Sequence, residues 1–293
     1  MILREHLKGC EEDLKKVILK VGEVGKKISQ GFVSRQGVSD TSNVYGETQL
    51  AMDKWADELL IQELGHSGLV SSLASEEQPE VLSFKSSSNI GVTIDPLDGS
   101  SLIGVNLAVG TIVGFYRGDV LSPGCMMVGA MYILYGPLTT LTYCVGDGVH
   151  EFVFNDKNEY LLQIENIRIP NGKIYAPGAL RKEWLPTHIK FITKLESESY
   201  KLRYSGSFVA DVHQILHKGG VFTYPAYIGR EQGKLRLLFE ANPMGYLMTH
   251  AGGAASDGVR DLLSVKPTSV SQRIPVYIGG RREIDQIESL NKE

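Results

Sequence analysis

The sequence predicts a layered α/β protein, and three observations support this fold class. Segments with the apolar spacing of amphipathic helices alternate along the chain with short apolar runs typical of strands. Hydrophobic residues make up 42% of the 293 positions and charged residues 22%, as is usual for a globular protein. The alternation of strands and helices begins again near Asn171. We therefore expect one domain over 1–293 that is divided into halves at about 1–170 and 171–293.

Composition and charge argue against several classes of protein. The formal net charge of −4 gives no reason to expect nucleic acid or an anionic membrane as partner. Met1 to Lys20 is charged throughout, and no apolar run reaches the roughly 18 residues of a membrane span. The three cysteines, Cys10, Cys125 and Cys144, lack metal-type spacing. We therefore expect a cytoplasmic protein without a disulfide framework.

The first part of the chain carries two predicted helices. Apolar residues recur at helical spacing over 10–30, with lysines between them. The polar segment 34–46 predicts a loop, and Glu47–Leu64 predicts a second helix. Asp53 and Asp57 lie one turn apart on this helix, and their spacing alone indicates nothing more than exposed carboxylates.

Strand-like runs follow, interrupted by the small, apolar segment Pro123–Tyr135, which predicts a buried helix. Later predicted helices are Leu180–Leu195, one that starts at Phe208, Pro243–His250 and one at the end of the chain. The predicted strands are a central one around Ile90–Ile94 and Leu69–Ser75, Val109–Tyr116, Thr139–Cys144, Val149–Phe154, Tyr160–Ile167, Ile174–Ala176, Val221–Ala226, Leu235–Phe239 and Val276–Ile278.

The stretch Thr93–Ser101 reads as a buried strand that ends in a rigid corner. Pro96 has a fixed φ and keeps the preceding Asp95 extended. Gly99 permits a left-handed backbone conformation that other residues avoid. Asp95 and Asp98 are therefore expected on one side of a tight turn at a strand end, where α/β proteins bind their ligands.

Carboxylates recur at or near other predicted strand ends, namely Glu76, Glu77 and Glu240. If they converge with the two aspartates, each like-charge pair about 4 Å apart costs about 4 kcal/mol at an effective dielectric near 20. Such a cluster requires cations. The candidate ligands are hard oxygens without an accompanying His/Cys set, which favours Mg²⁺, or Mn²⁺, over zinc.

Several motifs resemble one enzyme family. Ile94–Ser101 with the upstream Glu-Glu pair resembles the metal-dependent sugar phosphatases, the superfamily that includes inositol monophosphatase. Arg203–Ser207, Val209–His213, Tyr224–Ala226 and Lys234–Pro243 narrow this to the fructose-1,6-bisphosphatase and sedoheptulose-1,7-bisphosphatase family. The resemblance covers most of the chain. It implies a layered α-β-α-β-α sandwich of the sugar phosphatase type and Mg²⁺-dependent hydrolysis of the 1-phosphate of a ketose bisphosphate.

The resemblance also implies roles for individual residues. Asp53, Glu77 and Asp98 would be catalytic, the first two by helping to activate the attacking water. The set that would hold two or three metal ions is Asp53, Glu76, Glu77, Asp95, Asp98, Glu240 and the Leu97 carbonyl. The set that would bind the substrate is Gly99, Ser100, Arg203, Tyr204, Ser207, Phe208, Tyr224 and Lys234, with Arg203 reaching into a neighbouring subunit of a homodimer or homotetramer.

Two departures from the fructose bisphosphatase pattern point towards a longer sugar. Pro177 and Leu180 stand where that pattern has an Asn and a Tyr, and neither can donate a side-chain hydrogen bond. The run from Pro177 to Arg181 is similar to that of sedoheptulose bisphosphatases. Arg181 is either a replacement anion clamp or a solvated arginine. We therefore expect sedoheptulose 1,7-bisphosphate as substrate, with fructose 1,6-bisphosphate, or both sugars, as the alternative.

Other interpretations follow from single features. A third hypothesis is a regulator that binds sugar phosphate without turnover, and inositol phosphatase activity is a weaker enzymatic one. Asn89 and Ile90 replace the family's Lys-Tyr pair at the AMP site, and Cys10 stands alone, so we expect neither strong AMP inhibition nor a thiol switch. His213 and His217 lie one turn apart, and without a third ligand nearby in sequence their pattern indicates packing or surface roles.

Overall fold

The structure is a computed structural model with two main β-sheets and seven α-helices among the residues that it describes. It describes residues 1–34, 38–42, 48–146 and 148–292, with the backbone alone for 38–42 and 48–50. The helices are α1 Leu3–His6, α2 Glu12–Gly31, α3 Ala51–Gly65, α4 Pro186–Ser197, α5 Phe208–Lys218, α6 Asn242–His250 and α7 Arg281–Leu290.

The larger sheet has eight strands in the order β10-β9-β8-β7-β6-β5-β3-β4. Its pairs are antiparallel except for β3 and β5, which run parallel. Its strands are β3 Ser72–Ser75, β4 Leu82–Ser83, β5 Ile90–Asp98, β6 Val109–Arg117, β7 Met127–Tyr135, β8 Thr139–Cys144, β9 His150–Phe154 and β10 Tyr160–Ile164.

A second sheet has five strands in the order β12-β11-β13-β17-β15, and two small sheets pair β1 with β2 and β14 with β16. The remaining strands are β1 Val38–Ser42, β2 Thr48–Leu50, β11 Ile174–Pro177, β12 Lys201–Leu202, β13 Val221–Tyr224, β14 Leu235–Arg236, β15 Ala254–Ser256, β16 Arg273–Ile274 and β17 Val276–Gly279.

Three apolar cores between these elements show five layers. The first lies between α2 and α3 and one face of the eight-stranded sheet, since Leu60 of α3 and Ile94 of β5 belong to the same buried cluster. The second joins the other face, through Ile112, to α5, α6 and the five-stranded sheet. The third places Phe191 of α4 and Ile287 of α7 on the outer face of that second sheet. The predicted α-β-α-β-α sandwich is confirmed.

Two predicted elements have the wrong type. Pro123–Tyr135 was predicted as a helix but holds strand β7, because both faces of β7 are covered and its apolar residues therefore do not alternate with polar ones. Leu235–Phe239 was predicted as a strand, but only β14 is extended. Leu237–Ala241 then forms a wide helical turn that is buried on all sides and carries Glu240.

Several boundaries also differ from the prediction. The helix predicted over Glu47–Leu64 begins at Ala51, because the backbone just before it forms β2. The helix predicted from Leu180 begins at Pro186, since a proline suits the first turn. The loop predicted over 34–46 contains β1 and otherwise lies partly outside the described residues.

The division of the chain near residue 170 stays a prediction. The last strand of the eight-stranded sheet ends at Ile164 and the first strand of the five-stranded sheet begins at Ile174. Among the described residues, no helix combines the length and apolar character that a membrane crossing requires.

Candidate active site

The parallel pairing of β3 with β5 brings two acidic pairs together. Ser75, the last residue of β3, lies opposite Ile94. Glu76 donates its backbone N–H to the Ile94 carbonyl at 3.0 Å, so the Glu-Glu pair leaves β3 beside the point where Asp95 follows on β5. Parallel pairing therefore converts two separate sequence motifs into one group of carboxylates.

A third segment adds another carboxylate to this group. Oxygen atoms of Asp95, Asp98 and Glu240, all buried, lie within 4.8 Å of one another. Glu240 is held in place because its carboxylate accepts a hydrogen bond from the backbone N–H of Arg236. Asp53, in the first turn of α3, lines the same cleft. The cleft has a volume of about 300 Å³, which suits a small molecule.

Asp98 is held by the start of α5. Its Oδ2 accepts a hydrogen bond of 3.0 Å from the Ser207 hydroxyl and one of 2.8 Å from the Val209 N–H. Ser207 also caps α5 by accepting from the Ala210 N–H. Gly99 follows Asp98 with φ +76°, and a Cβ there would lie 2.9 Å from the Ser207 Cβ. Asp98 is therefore oriented by a helix from the second half of the chain.

Burial and mutual repulsion strongly favour the protonated acids. Burial raises the pKa of Asp95 well above its ordinary value, and the charges of Glu76, Asp98 and Glu240 raise it further. Burial, with Glu76 and Asp211 adding repulsion, raises the pKa of Asp98 to about 7, although the bonds from Val209 and Ser207 oppose the shift. Burial raises the pKa of Glu240 well above its ordinary value, and the charges of Glu76 and Asp98 raise it further. These acids would ionise more readily beside added positive charge.

The donor set fits divalent cations with hard-oxygen preferences. Three buried carboxylates within 4.8 Å of one another, with Glu76 and Asp53 on the same cleft, offer the ligands that Mg²⁺ and Mn²⁺ prefer. Arg236 is a nearby cation, with Nε 3.3 Å from Glu76 Oε1. One guanidinium offsets only part of the charge of this group, so the residues present fit a metal centre.

Comparison with known proteins identifies the family to which the chain belongs. Residues 4–165 match the family model for the N-terminal domain of fructose-1-6-bisphosphatase, and residues 169–292 match the model for its C-terminal domain. The chain is a member of the fructose-1,6-bisphosphatase family.

Curated relatives and solved structures agree with this family. A class 1 fructose-1,6-bisphosphatase of Methanocorpusculum labreanum is 49% identical over 98% of this chain and 91% of its own length. A class 1 fructose-1,6-bisphosphatase of Geobacter sulfurreducens is 48% identical over 96% of this chain and 93% of its own length. The Leishmania major fructose-1,6-bisphosphatase in holo form superposes with a TM-score of 0.94 at 29% identity, covering 100% of this chain and 99% of the other. The expected resemblance to the class I family is confirmed.

Most residues predicted for the site of this fructose-1,6-bisphosphatase family member line one cleft. Tyr204, Phe208, Tyr224 and Lys234 line the same cleft as the carboxylates. The predicted residues on the cleft are Asp53, Glu76, Glu77, Asp95, Leu97, Asp98, Gly99, Ser100, Tyr204, Phe208, Tyr224, Lys234 and Glu240.

Three predicted residues do not line the cleft. Ser207 lies behind it and contacts Asp98 instead. Arg181 stacks over Trp184, with its guanidinium carbon 5.5 Å from the ring centroid, and lies 4.0 Å from a Glu196 carboxylate oxygen. Arg203 is exposed, and its guanidinium donates to the Leu202 carbonyl. Within one chain, the two arginines therefore stand outside the cleft.

Sequence reasoning missed three residues that shape the site. Arg273 lines the cleft, and its guanidinium donates to the Lys234 carbonyl. Arg236, on the predicted strand Leu235–Phe239, is 2% exposed. Asp57 is buried and accepts from Ser75, the residue before Glu76, so it is not the exposed carboxylate that its spacing indicated. Arg236 and Arg273 lie on two-residue strands and Asp57 in the middle of α3, and no sequence pattern identified them.

Proposed function

We propose that this protein hydrolyses the 1-phosphate of fructose 1,6-bisphosphate with Mg²⁺ as its metal. The observation that carries the proposal is the convergence of Asp95, Asp98 and Glu240 in a cleft that also holds Lys234 and Tyr224. The carboxylates form the acidic end of the site, which suits cations and the reacting phosphate, whereas the Lys234 ammonium and the tyrosine hydroxyls suit a polyol and a second phosphate. The names of the curated relatives support fructose as the sugar.

The acidic end would bind the metal ions and the reacting phosphate. Bound Mg²⁺ would supply positive charge to the phosphate in the transition state and to the departing sugar oxygen. The residues that would hold it are Glu76, Glu77, Asp95, Asp98, Glu240, Asp53 and the Leu97 carbonyl. Mn²⁺ has similar ligand preferences and is the expected substitute.

The chain's own groups would orient the reactants. Glu77 and Asp53 line the cleft and would accept the proton of the attacking water. A 3₁₀ turn begins at Ser100, directly after the left-handed Gly99. Its first N–H groups have no partner within the turn, so they are free to face a phosphate oxygen.

The Lys234 ammonium and the tyrosine hydroxyls would select the sugar and its distal phosphate. The Lys234 ammonium lies 5.7 Å from the centre of the Tyr224 ring, which keeps both groups on the cleft. Burial, with Tyr224, Asp211 and Asp98 nearby, raises the pKa of Tyr204 to about 12, so its hydroxyl stays a donor at neutral pH. Arg203 would complete the binding site of the distal phosphate from a neighbouring subunit, since it is exposed on its own chain.

The sedoheptulose preference expected from the sequence is not supported. It depended on two missing donors and on the similarity of the run from Pro177 to Arg181 to sedoheptulose bisphosphatases. Neither Pro177 nor Leu180 lines the cleft, and Leu180 is 58% exposed. The loss of a donor there does not by itself lengthen the sugar site. The comparisons favour the fructose alternative instead.

Phosphate release from fructose 1,6-bisphosphate tests the proposal. Release should require Mg²⁺, and Asp98→Asn should lower kcat by about a hundredfold or more, since it removes a buried charge from the metal end. Glu58→Gln is a matched control because Glu58 is exposed on the same helix as Asp53. Wild-type turnover in Asp98→Asn, or binding without any turnover, would contradict the proposal.

A further inference from the structure

A second group of potential metal ligands lies outside the sugar-phosphate cleft. His213 and His217 lie one turn apart on α5, and the fold places Glu151 of β9 against both of them. The sequence offered no third ligand because Glu151 lies 66 positions before His217. The third group comes from the eight-stranded sheet.

The spacing of the three side chains is close to that of a tetrahedral metal site. Glu151 Oε2 lies 2.8 Å from His217 Nε2 and 3.7 Å from His213 Nδ1, and the three ligand atoms lie within 4.8 Å of one another. Ligands at 2.0–2.1 Å from zinc in a tetrahedron stand about 3.3 Å apart. The two measured separations bracket that value, so small side-chain rotations would complete the site.

We propose that Glu151, His213 and His217 form a binding site for a zinc-like transition metal. Two imidazoles and one carboxylate are the ligand set that such ions take, whereas Mg²⁺ prefers oxygen alone. The chain would then hold two kinds of metal in two places, sorted by ligand chemistry.

The surroundings of this group suit a bound cation. Glu151 is 5% exposed, and Thr142 Oγ1 donates to it at 3.5 Å. The Tyr132 hydroxyl lies 2.8 Å from His213 Nδ1 and is also in reach of Thr142, so it keeps a partner when a metal takes that nitrogen. Both histidine side chains are 21% exposed, which leaves an entry path and room for a water as fourth ligand.

The metal would tie α5 to the eight-stranded sheet without touching the substrate. Val209, in the first turn of α5, donates to Asp98. At a rise of 1.5 Å per residue, His213 stands about 6 Å further along the helix and His217 about 12 Å. Occupancy would therefore stabilise the helix that orients Asp98, and removal of the metal should lower thermal stability.

Cobalt absorption tests the proposal independently of turnover. Co²⁺ is titrated into the full-length protein with Mg²⁺ in excess. Oxygen-ligated, six-coordinate cobalt absorbs weakly, whereas tetrahedral cobalt with imidazole ligands absorbs strongly in the visible range. The wild type should develop the strong bands at one equivalent per chain, and Zn²⁺ should abolish them by displacement.

Variants locate the bound ion. His217→Gln and His213→Gln should each weaken Zn²⁺ affinity by about a hundredfold or more, since changes even to outer-shell partners cost 10–100-fold. His66→Gln, at an exposed histidine on the described surface, should leave the bands unchanged. A wild type without strong bands, or a folded His217→Gln that keeps them, would overturn the proposal. If neither variant folds, the wild-type titration alone decides.

Discussion

The Ser207 hydroxyl donates a hydrogen bond of 3.0 Å to the Asp98 carboxylate, across 109 positions of the chain. Asp98 ends a strand of the eight-stranded sheet, and Ser207 caps a helix that packs between the two sheets. The bond therefore joins the acidic end of the site to the second half of the chain, and the orientation of one carboxylate depends on the packing of both halves.

Removing the Ser207 hydroxyl should weaken metal binding more than it weakens the fold. Ser207→Ala deletes a donor to Asp98 and a helix cap, and loss of the cap costs about 1 kcal/mol. We expect the Mg²⁺ concentration for half-maximal activity to rise about tenfold, because one hydrogen bond to a charged group contributes about 1.5–3 kcal/mol. Ser197→Ala, at an exposed helix end, is the control. An unchanged Mg²⁺ requirement would refute the role of this bond.

Gly99→Ala should damage the site severely. The φ of +76° costs an alanine about 1–2 kcal/mol, and its Cβ would lie 2.9 Å from the Ser207 Cβ. We expect kcat to fall about a hundredfold, since displacements near 1 Å carry such costs. Gly104→Ala is the matched control, because no atom lies within 4 Å of a Cβ built at Gly104. Similar kcat values for the two variants would show that the corner tolerates a side chain.

Asp57→Asn should disturb the Glu76–Glu77 turn without touching substrate. Asp57 accepts from the Ser75 hydroxyl at 2.5 Å and from the Gln78 amide at 2.6 Å, and Ser75 Oγ in turn accepts from the Glu77 N–H. An asparagine places its NH₂ against one of these donors. The free energy of unfolding should fall by about 1–3 kcal/mol, and kcat should fall about tenfold. The control variant Glu58→Gln should change neither quantity. Denaturant titration and initial rates measure both effects.

Protonation of the acidic end should make stability depend on pH in the absence of metal. Folding raises the pKa of Asp98 from 3.8 to about 7. The folded chain therefore keeps a proton that the unfolded chain loses, and stability falls as pH rises from about 4 to about 7. Asp98→Asn lacks this titration. With metal removed by a chelator, the free energy of unfolding of the wild type relative to that of Asp98→Asn should decline as pH rises across that window.

The comparison with Asp98→Asn cancels groups that titrate in the opposite direction. Burial lowers the pKa of His188 to about 3, and burial with His217 lowers that of His213 to about 4. Both histidines therefore lower the stability of the folded chain as pH falls, and they do so equally in the wild type and in the variant. Excess Mg²⁺ should remove the decline, because it favours the ionised acids. A relative stability that is flat or rising in the chelator would contradict the raised pKa of Asp98.

The acidic end of the site was predictable because its residues lie in short, continuous motifs. Asp95, Pro96, Asp98 and Gly99 define a rigid corner from local backbone rules alone. The convergence of Glu76 and Glu240 on this corner was not predictable from spacing, because Glu76 depends on the pairing of β3 with β5 and Glu240 on a buried helical turn. Resemblance to a family supplied that step.

The positions of residues that depend on long-range packing could not be predicted from the sequence. Strand β7 is covered on both faces, so its apolar run cannot be told from that of a buried helix. Arg236 and Glu151 are charged residues on strands, and the layers on top of those strands bury them. The expected sedoheptulose preference depended on Pro177 and Leu180, and neither of these residues lines the cleft.

The central claim is tested most directly by comparing kcat/KM for fructose 1,6-bisphosphate and sedoheptulose 1,7-bisphosphate, with Mg²⁺ present and the sugar products identified. The account predicts a higher value for the fructose substrate, release of its 1-phosphate and fructose 6-phosphate as product. A markedly higher value for sedoheptulose 1,7-bisphosphate, or release of the phosphate at the far end of either sugar, would contradict it.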